Sequence, residues 1–369
     1  MLNFENTKIA FKLKSNHDLN RAYVLFKVIS SPLIVKIGKV LMLFALKLRL
    51  PVSFIVKRTI FKQFCGGETI AECSPTIKAL GSQGIGTILD YSVEGKTKED
   101  DFDETTDIII DTIKKAHTEK NIPFAVFKIT GISKFSLLEK ASQKETRLNK
   151  SESDELAKIE GRILKICTAA HELNVPVFID AEESWIQDVI DTWAFQMMCL
   201  FNKEQTIVYN TIQMYRHDRL KFLKDCFKQA EDCKVSYGVK LVRGAYMEKE
   251  RDRASEMDYP SPIQINKKAT DNDYNKGQEF ILENIKHFSL VAGTHNEESS
   301  MQLANSLNKY QISKNDPRIF FAQLLGMSDH ISFNLSSEGF NVAKYVPFGP
   351  IKEVMPYLLR RADENTSVA

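Results

Sequence analysis

Eight short apolar runs, separated by longer amphipathic and charged segments, limit what this chain can fold into. The runs lie at 86–91, 124–129, 175–180, 206–211, 238–243, 289–293, 319–324 and 343–346. Helical patterns occur between them, for example at 153–172 and 275–288. Apolar strands that alternate with helices are typical of a parallel sheet buried on both faces. Eight such units predict an α/β fold, a (β/α)8 TIM barrel.

The chain before the first run has a different pattern. Residues 1–80 predict helices, interrupted at Pro51 and at the Gly66–Gly67 pair. We therefore expect two domains: an N-terminal helical region, 1–80, and a barrel that forms the catalytic domain, 81–369.

Three segments outside the runs also carry predictions. The connection 133–153 is rich in Lys, Glu and Ser and is expected to be an exposed insertion. The connection 248–270 is long enough to form a lid or a cofactor cover. Pro350 is expected to open the final helix, because a proline costs nothing at the first helical position.

Composition and charge exclude several classes of function. A net charge of +2 over 369 residues does not favour nucleic acid as a partner. The six cysteines are scattered without a C-x-x-C pair, as expected for reduced thiols in a cytosolic protein rather than for disulfides or a zinc site. No metal-ligand spacing and no secretory signal are present, so we predict a protein without metal in the cytoplasm, or at the inner face of the membrane.

The segment between Asp18 and Glu68 is strongly basic, because it contains no acidic residue and many lysines and arginines among apolar residues. Within it, 33–48 has too many lysines for a membrane-spanning helix. It is compatible with a helix that lies in a membrane interface. A core-packing helix whose lysines extend to solvent fits the pattern slightly better. Peripheral membrane contact is therefore one of two open hypotheses.

Polar residues lie in or directly after the predicted strands, toward the end where TIM barrels place their active sites. They are Lys128, Asp180, Gln213, Lys240, Arg243, Tyr246, Thr294, His295, Asn296 and Tyr345. The last helix adds Tyr357, Arg360, Arg361 and Glu364, whose spacing places them on adjoining parts of one helical face. Two neighbouring arginines suit a carboxylate or a phosphate, although a solvated helix end would have the same pattern. Cations dominate this set, so an anionic ligand is expected.

Four motifs together resemble the proline dehydrogenase family. They are FIDAEES at 178–184, VKLVRGAYMEKER at 239–251, GTHN at 293–296 and YVPFGPIKEVMPYLLRRADEN at 345–365. The resemblance runs from about residue 70 to the last residue and is similar to the stand-alone, mitochondrial type, without a fused aldehyde dehydrogenase or DNA-binding module. It implies a distorted (β/α)8 barrel that binds FAD and oxidises L-proline to Δ1-pyrroline-5-carboxylate. Hydride would pass from proline C5 to flavin N5, and the electrons would pass on to a quinone.

The resemblance also implies roles for individual residues. Arg360 and Arg361, with Lys128, would bind the proline carboxylate. The walls around the proline ring would be Leu241, Leu324, Tyr345 and Tyr357. Asp180, Lys240 and Lys128 would be catalytic, with Asp180 organising Lys128. The FAD contacts would be Ala181, Gln213, Lys240, Gly244, Ala245, Tyr246, Thr294, His295 and Glu364. Glu94 would act as a gate by pairing with an arginine of the clamp.

Two positions depart from the pattern of many bacterial relatives, which carry Arg where Lys240 stands and Lys where Arg243 stands. Which of the two cations contacts flavin N5 is therefore open. Tyr345 would crowd C4 of the ring, which predicts a preference for proline over 4-hydroxyproline.

Three other functions remain open. The first is a hydroxyproline dehydrogenase. The second is a class I aldolase-like barrel with a Schiff base on Lys128 or Lys240. The third is a membrane-surface scaffold built on the basic segment, without catalysis.

Overall fold

A closed barrel of eight parallel strands forms the centre of the computed structural model, in the order β1 to β8. The structure describes residues 2–31, 33, 36–38, 53–93, 96–143 and 146–368. The strands are β1 (Ile85–Tyr91), β2 (Phe124–Phe127), β3 (Val177–Ile179), β4 (Val208–Gln213), β5 (Tyr237–Val242), β6 (Phe288–Gly293), β7 (Ile319–Leu324) and β8 (Val342–Phe348). The predicted fold class is confirmed, and every apolar run overlaps a strand.

The helices surround this barrel and precede it. They are α1 (Thr7–Ala10), α2 (Asn16–Ile29), α3 (Ser53–Val56), α4 (Lys62–Phe64), α5 (Ser74–Gly81), α6 (Glu99–Thr118), α7 (Phe135–Ser142), α8 (Lys150–Glu172), α9 (Ser184–Phe201), α10 (Arg219–Cys233), α11 (Met247–Glu256), α12 (Lys267–Glu283), α13 (Glu297–Lys309), α14 (Asp329–Ser337) and α15 (Met355–Val368). A π-helical turn, Lys57–Phe61, joins α3 to α4, and a 3₁₀ turn, Ile129–Gly131, follows β2. Within the described residues, no helix has the length and apolar character that crossing a membrane requires.

Side chains alternate between the inside and the outside of the barrel along each strand, as the strand period of two requires. The interior is filled by Ile88, Phe124, Val126, Phe178, Tyr209, Val291, Ala322, Ala343 and Tyr345. The rings of Phe124 and Phe178 stack there at 4.6 Å between centroids. The opposite faces of the strands join the larger core beneath the helices. The barrel interior is therefore packed with side chains.

The N-terminal helices pack against the final helix. Ile29, Val56 and Phe64 form one buried cluster with Tyr357 and Leu358 of α15. This cluster fixes the helix that carries the paired arginines, so the N-terminal region supports the end of the barrel where those arginines lie.

The final helix begins later than expected. Pro350 lies in a turn in which the Glu353 and Val354 amides donate to its carbonyl oxygen, and α15 starts only at Met355. The reason is Pro356, which has no amide hydrogen and is tolerated only in the first turn of a helix. A helix that began at Pro350 would place Pro356 in its interior.

The connection 133–153, expected to be an exposed insertion, is exposed over most of its described second half, 146–153, but not over its first half. Its first part forms α7, where Leu137 and Leu138 are buried against the core and the helix packs on α9. The second connection forms α11 and the loop that follows it. Glu250 on α11 is fully buried and accepts hydrogen bonds of 2.6 Å from the amide and the hydroxyl of Ser184. Both segments are therefore docked on the barrel.

Candidate active site

A cavity of about 990 Å³ opens at the carboxyl ends of the strands. Most of the predicted site residues line it: Lys128, Asp180, Ala181, Gln213, Lys240, Gly244, Ala245, Tyr246, Thr294, His295, Leu324, Tyr345, Tyr357, Arg360 and Arg361. Residues from strand ends and from α15 that are distant in sequence therefore share one site.

A buried ion pair lies at the centre of this cavity. The Lys240 ammonium donates to Asp180 Oδ1 at 2.5 Å and to the Tyr345 hydroxyl at 2.7 Å. The same ammonium lies 4.6 Å from the centre of the Tyr345 ring. Asp180 thus bonds the Lys240 ammonium, and its expected role in organising Lys128 stays a prediction. Removing one partner of a buried pair leaves an uncompensated charge, so this cluster holds its geometry firmly.

Arg243 occupies a different position from Lys240. Its guanidinium donates to Asp271 at 2.7 Å, to the Thr294 hydroxyl at 2.6 Å and to the Ser299 hydroxyl at 2.9 Å, and it stacks over the Tyr274 ring. These contacts anchor it to α12 and to the end of β6. Lys240, in contrast, projects inward between β3 and β8.

His295 follows β6 and projects its ring into the cavity. Its Nδ1 lies 2.9 Å from the Ser328 hydroxyl. The ring is exposed to the open cavity, yet the protein around the cavity desolvates its charged form. Together with the nearby cations of Lys344 and Arg361, this desolvation lowers the pKa of the imidazole to about 3. His295 is therefore neutral at physiological pH.

The segment between β7 and α14 forms one wall of the cavity and is held from behind by a buried lysine. Lys344, on the outer face of β8, has no solvent exposure and pairs with Asp329 Oδ1 at 2.7 Å. It also donates to the carbonyl oxygens of Met327 at 2.8 Å and Leu324 at 3.3 Å. This lysine has no motif that would single it out, because its partners are visible only once the strands are paired.

The final helix brings two arginines to the cavity. Arg361 is buried, and its guanidinium lies 5.1 Å from the centre of the Tyr357 ring. Arg360 lies beside it on the cavity wall. The backbone at Glu364 continues α15, but its side chain and the whole of Glu94 lie outside the described residues, so their predicted roles stay predictions.

Leu241 is the predicted residue that the structure moves out of the site. It lies in the core between the barrel and its helices, with its side chain near Gly277 of α12. Lys240 and Val242 line the cavity instead. Since neighbouring residues of a strand face opposite sides, an inward Lys240 requires an outward Leu241.

Two acidic residues near the site were missed. Asp90 lines the cavity at the end of β1, and the Ser92 hydroxyl donates to its Oδ2 at 2.5 Å. Glu182 is buried behind the cavity and accepts from the Thr130 amide at 3.0 Å. Burial raises the pKa of Glu182 to about 7, against the opposing effect of Lys128. Asp90 could have been found, because it lies one residue before the end of the first run, much as Asp180 ends the third.

The lining also fits a large anionic group such as a dinucleotide. Gly244 has a φ of +139°, and a side chain there would meet the Tyr215 ring at 2.5 Å, so bare backbone faces the cavity at this point. The buried hydroxyl of Thr211 lines the cavity without a hydrogen-bond partner in the described part of the chain. Lysines and arginines from several elements add positive charge. The site can thus hold phosphates and a separate small carboxylate.

A closed parallel barrel with a cationic cavity at its carboxyl ends defines an enzyme of the (β/α)8 class. Comparisons with known proteins give the family. The model of the family described as proline dehydrogenase matches residues 73–369. Proline dehydrogenase 1, mitochondrial, of Dictyostelium discoideum is 34% identical over an alignment of 408 positions, which covers 99% of this chain and 71% of the relative. The chain belongs to the proline dehydrogenase family and is an oxidoreductase.

Two further proteins, one curated relative and one solved structure, also match this chain. A hydroxyproline dehydrogenase of Xenopus laevis is 29% identical over 97% of this chain and 84% of the relative. The structure of proline utilization A from Bdellovibrio bacteriovorus has a TM-score of 0.75 at 20% identity, over 98% of this chain. This chain spans 38% of that longer protein, and the likeness concerns the fold.

Proposed function

We propose that this protein catalyses the FAD-dependent oxidation of L-proline to Δ1-pyrroline-5-carboxylate. The observation that carries the proposal is the presence, in one cavity, of the arginine pair of α15 and the buried Asp180–Lys240–Tyr345 cluster. The first suits a small carboxylate, and the second is a rigid polar surface against which the rest of the substrate can lie.

The substrate carboxylate would bind to Arg360 and Arg361, with Lys128 nearby. Guanidinium groups hold a carboxylate through paired hydrogen bonds, which fixes its orientation better than a lysine would. Leu324, Tyr345 and Tyr357 would then enclose the ring. Because Tyr345 is pinned through its hydroxyl to Lys240, this wall cannot retreat easily.

FAD would be held by the strand-end residues on the other side of the cavity: Ala181, Gln213, Lys240, Gly244, Ala245, Tyr246, Thr294 and His295. When bound, it supplies the hydride acceptor that no amino-acid side chain can provide. Of the two candidate cations for the reacting edge, the contacts favour Lys240, since Arg243 is committed to Asp271, Thr294 and Ser299. Neutral His295 would contribute hydrogen bonds without charge.

The test is an absorption spectrum of the purified protein before and after anaerobic addition of L-proline. A flavin spectrum that bleaches with proline is expected. A flavin that bleaches only with hydroxyproline would overturn the substrate, and a colourless protein that gains no activity with added FAD would overturn the whole proposal.

The preference for proline over 4-hydroxyproline depends on the wall formed by Tyr345, which is 7% exposed. The substitution Tyr345→Ser opens space at this wall. We expect it to raise the ratio of hydroxyproline turnover to proline turnover. Tyr345→Phe is the matched control, since it keeps the ring and removes only the hydroxyl. Failure of the serine variant to change the ratio would contradict this account.

We also propose that electrons leave to a quinone and that the N-terminal region, 1–80, docks on a membrane surface beside the catalytic domain, 81–369. Tyr23, Val24 and Val28 of α2 and Phe54 of α3 are exposed apolar residues within the basic segment. Such a surface suits an interface with anionic lipids. This placement, at the inner face of a membrane rather than free in the cytoplasm, remains a proposal.

Co-sedimentation with anionic vesicles tests the membrane contact. Tyr23→Ser combined with Val24→Ser should reduce binding, whereas Leu164→Ser, at an exposed leucine on α8, should not. Equal binding by all three proteins would argue against this surface.

A further inference from the structure

Four carboxylates line the cavity among the described residues, and they differ in their partners. Asp180 bonds the Lys240 ammonium, Asp329 bonds the Lys344 ammonium, and Glu297 lies 2.9 Å from the His330 ring. Asp90 is the exception. Within the described part of the chain, no lysine or arginine lies within ion-pair distance of it, and its hydrogen bond comes from the neutral Ser92 hydroxyl.

Asp90 is nevertheless surrounded by ionisable groups from several elements. Lys128 after β2, Asp180 after β3 and Lys240 on β5 all act on its charge. Tyr345 on β8 and Cys65 after α4 also face it. Its side chain is almost completely buried, and burial raises the pKa of the carboxyl against the two lysines.

The proposed reaction needs a group in the cavity that accepts a proton from the substrate nitrogen. L-Proline enters as a secondary ammonium, and its nitrogen must lose a proton before the lone pair can assist departure of hydride from the neighbouring carbon. Lysine and arginine cations cannot accept that proton, and the low pKa of His295 makes it a weak base. Protonating Asp180 would leave the Lys240 ammonium buried without its carboxylate.

We propose that the Asp90 carboxylate accepts the proton from the substrate ammonium: the substrate N–H bond breaks, an O–H bond forms on Asp90, and the electron pair stays on nitrogen. This inference rests on the proposed function. Because burial raises the pKa of the carboxyl, the difference in pKa between it and the substrate ammonium is smaller, which makes the proton transfer less unfavourable. The surrounding cations also favour the uncharged amine over the ammonium. The Ser92 hydroxyl holds the acceptor in place.

The decisive experiment is the pH profile of kcat/KM for L-proline in Asp90→Asn. At neutral pH we expect a loss of about 100-fold or more, typical for removal of a general base. The variant can use only proline that arrives as free amine, so its kcat/KM should rise about tenfold per pH unit where the wild type is level. Ser92→Ala keeps the carboxylate, so its loss should stay below about tenfold and its profile should keep a level region.

A binding measurement separates this role from packing. Tetrahydro-2-furoate has the ring and carboxylate of proline with oxygen in place of nitrogen, so it has no proton to give. Its Kd, read from the perturbed flavin spectrum, should be similar in wild type and Asp90→Asn. A Kd weakened as much as kcat/KM, or a parallel loss of activity at all pH values, would overturn the assignment. Failure of the wild-type flavin to bleach with proline would instead overturn the proposed function.

Discussion

Lys344→Met tests whether the wall of the cavity depends on one buried ammonium. The substitution keeps an unbranched side chain only one atom shorter but removes the bonds to Asp329, Met327 and Leu324. Asp329 is only 12% exposed, and its remaining cation, Lys14, lies 4.0 Å away. Breaking a buried pair by removing one partner costs about 3–5 kcal/mol, and we expect a loss near the lower end because Asp329 also begins α14.

Urea unfolding, followed by circular dichroism and tryptophan fluorescence together, measures the loss, since coincident curves justify a two-state treatment. Lys314→Met is the matched control. Lys314 pairs with Glu338 at 3.2 Å, but their side chains are 43% and 33% exposed, so the cost should be about 0–1 kcal/mol. Adding Asp329→Asn to Lys344→Met should recover part of the loss. Equal losses in the two lysine variants, or no recovery in the double variant, would refute the reasoning.

Three further predictions concern single groups. Glu182 has its pKa raised to about 7 from 4.5, so its contribution is favourable below pH 4.5 and is lost as pH rises through 7. Unfolding curves should show up to about 3 kcal/mol lost between pH 4.5 and 8 in the wild type and less in Glu182→Gln. His295, with its pKa near 3, should show no titration by NMR between pH 5 and 8, and a midpoint in that range would contradict the effect of desolvation and of the nearby cations. Gly244→Ala should lower the flavin-to-protein ratio because its new methyl meets the Tyr215 ring, whereas Gly161→Ala, with open space around it, should not.

Much of the fold follows from local patterns in the chain. A buried parallel strand is a short apolar run, and the runs at 319–324 and 289–293 match β7 and β6 to within one residue. Where the patterns compete, prediction fails. Pro350 and Pro356 both suit the first turn of a helix. A helix that began at Pro350 would contain Pro356 in its interior, so Pro356 excludes the longer helix. The charged residues of 133–153 indicated an exposed segment. The buried face of α7 was not predicted, because the helix on which it packs is distant in the sequence.

The site was predictable where a residue ends a strand and not where it lies behind one. Asp180 directly follows β3 and Lys240 lies in the second half of β5, and they meet because the carboxyl ends of parallel strands share one rim. Leu241 was predicted to line the proline ring, and that prediction is wrong. Neighbouring residues of a strand face opposite sides, so an inward Lys240 requires an outward Leu241. The Lys344–Asp329 pair depends on the packing of β8 against the start of α14, which no spacing in the sequence encodes.

The seam that closes the barrel has a consequence for biosynthesis. β1 pairs with β8 along its whole length, from Ile85 beside Val342 to Tyr91 beside Phe348. A chain growing from the ribosome holds the first strand long before the last one exists, so it must carry an open sheet with two unpaired edges. Such distant pairings fold slowly. The arginines of α15 are synthesised later still, so a nascent chain has no complete binding site until the barrel can close. Ligand binding would therefore show that both synthesis and barrel closure are complete.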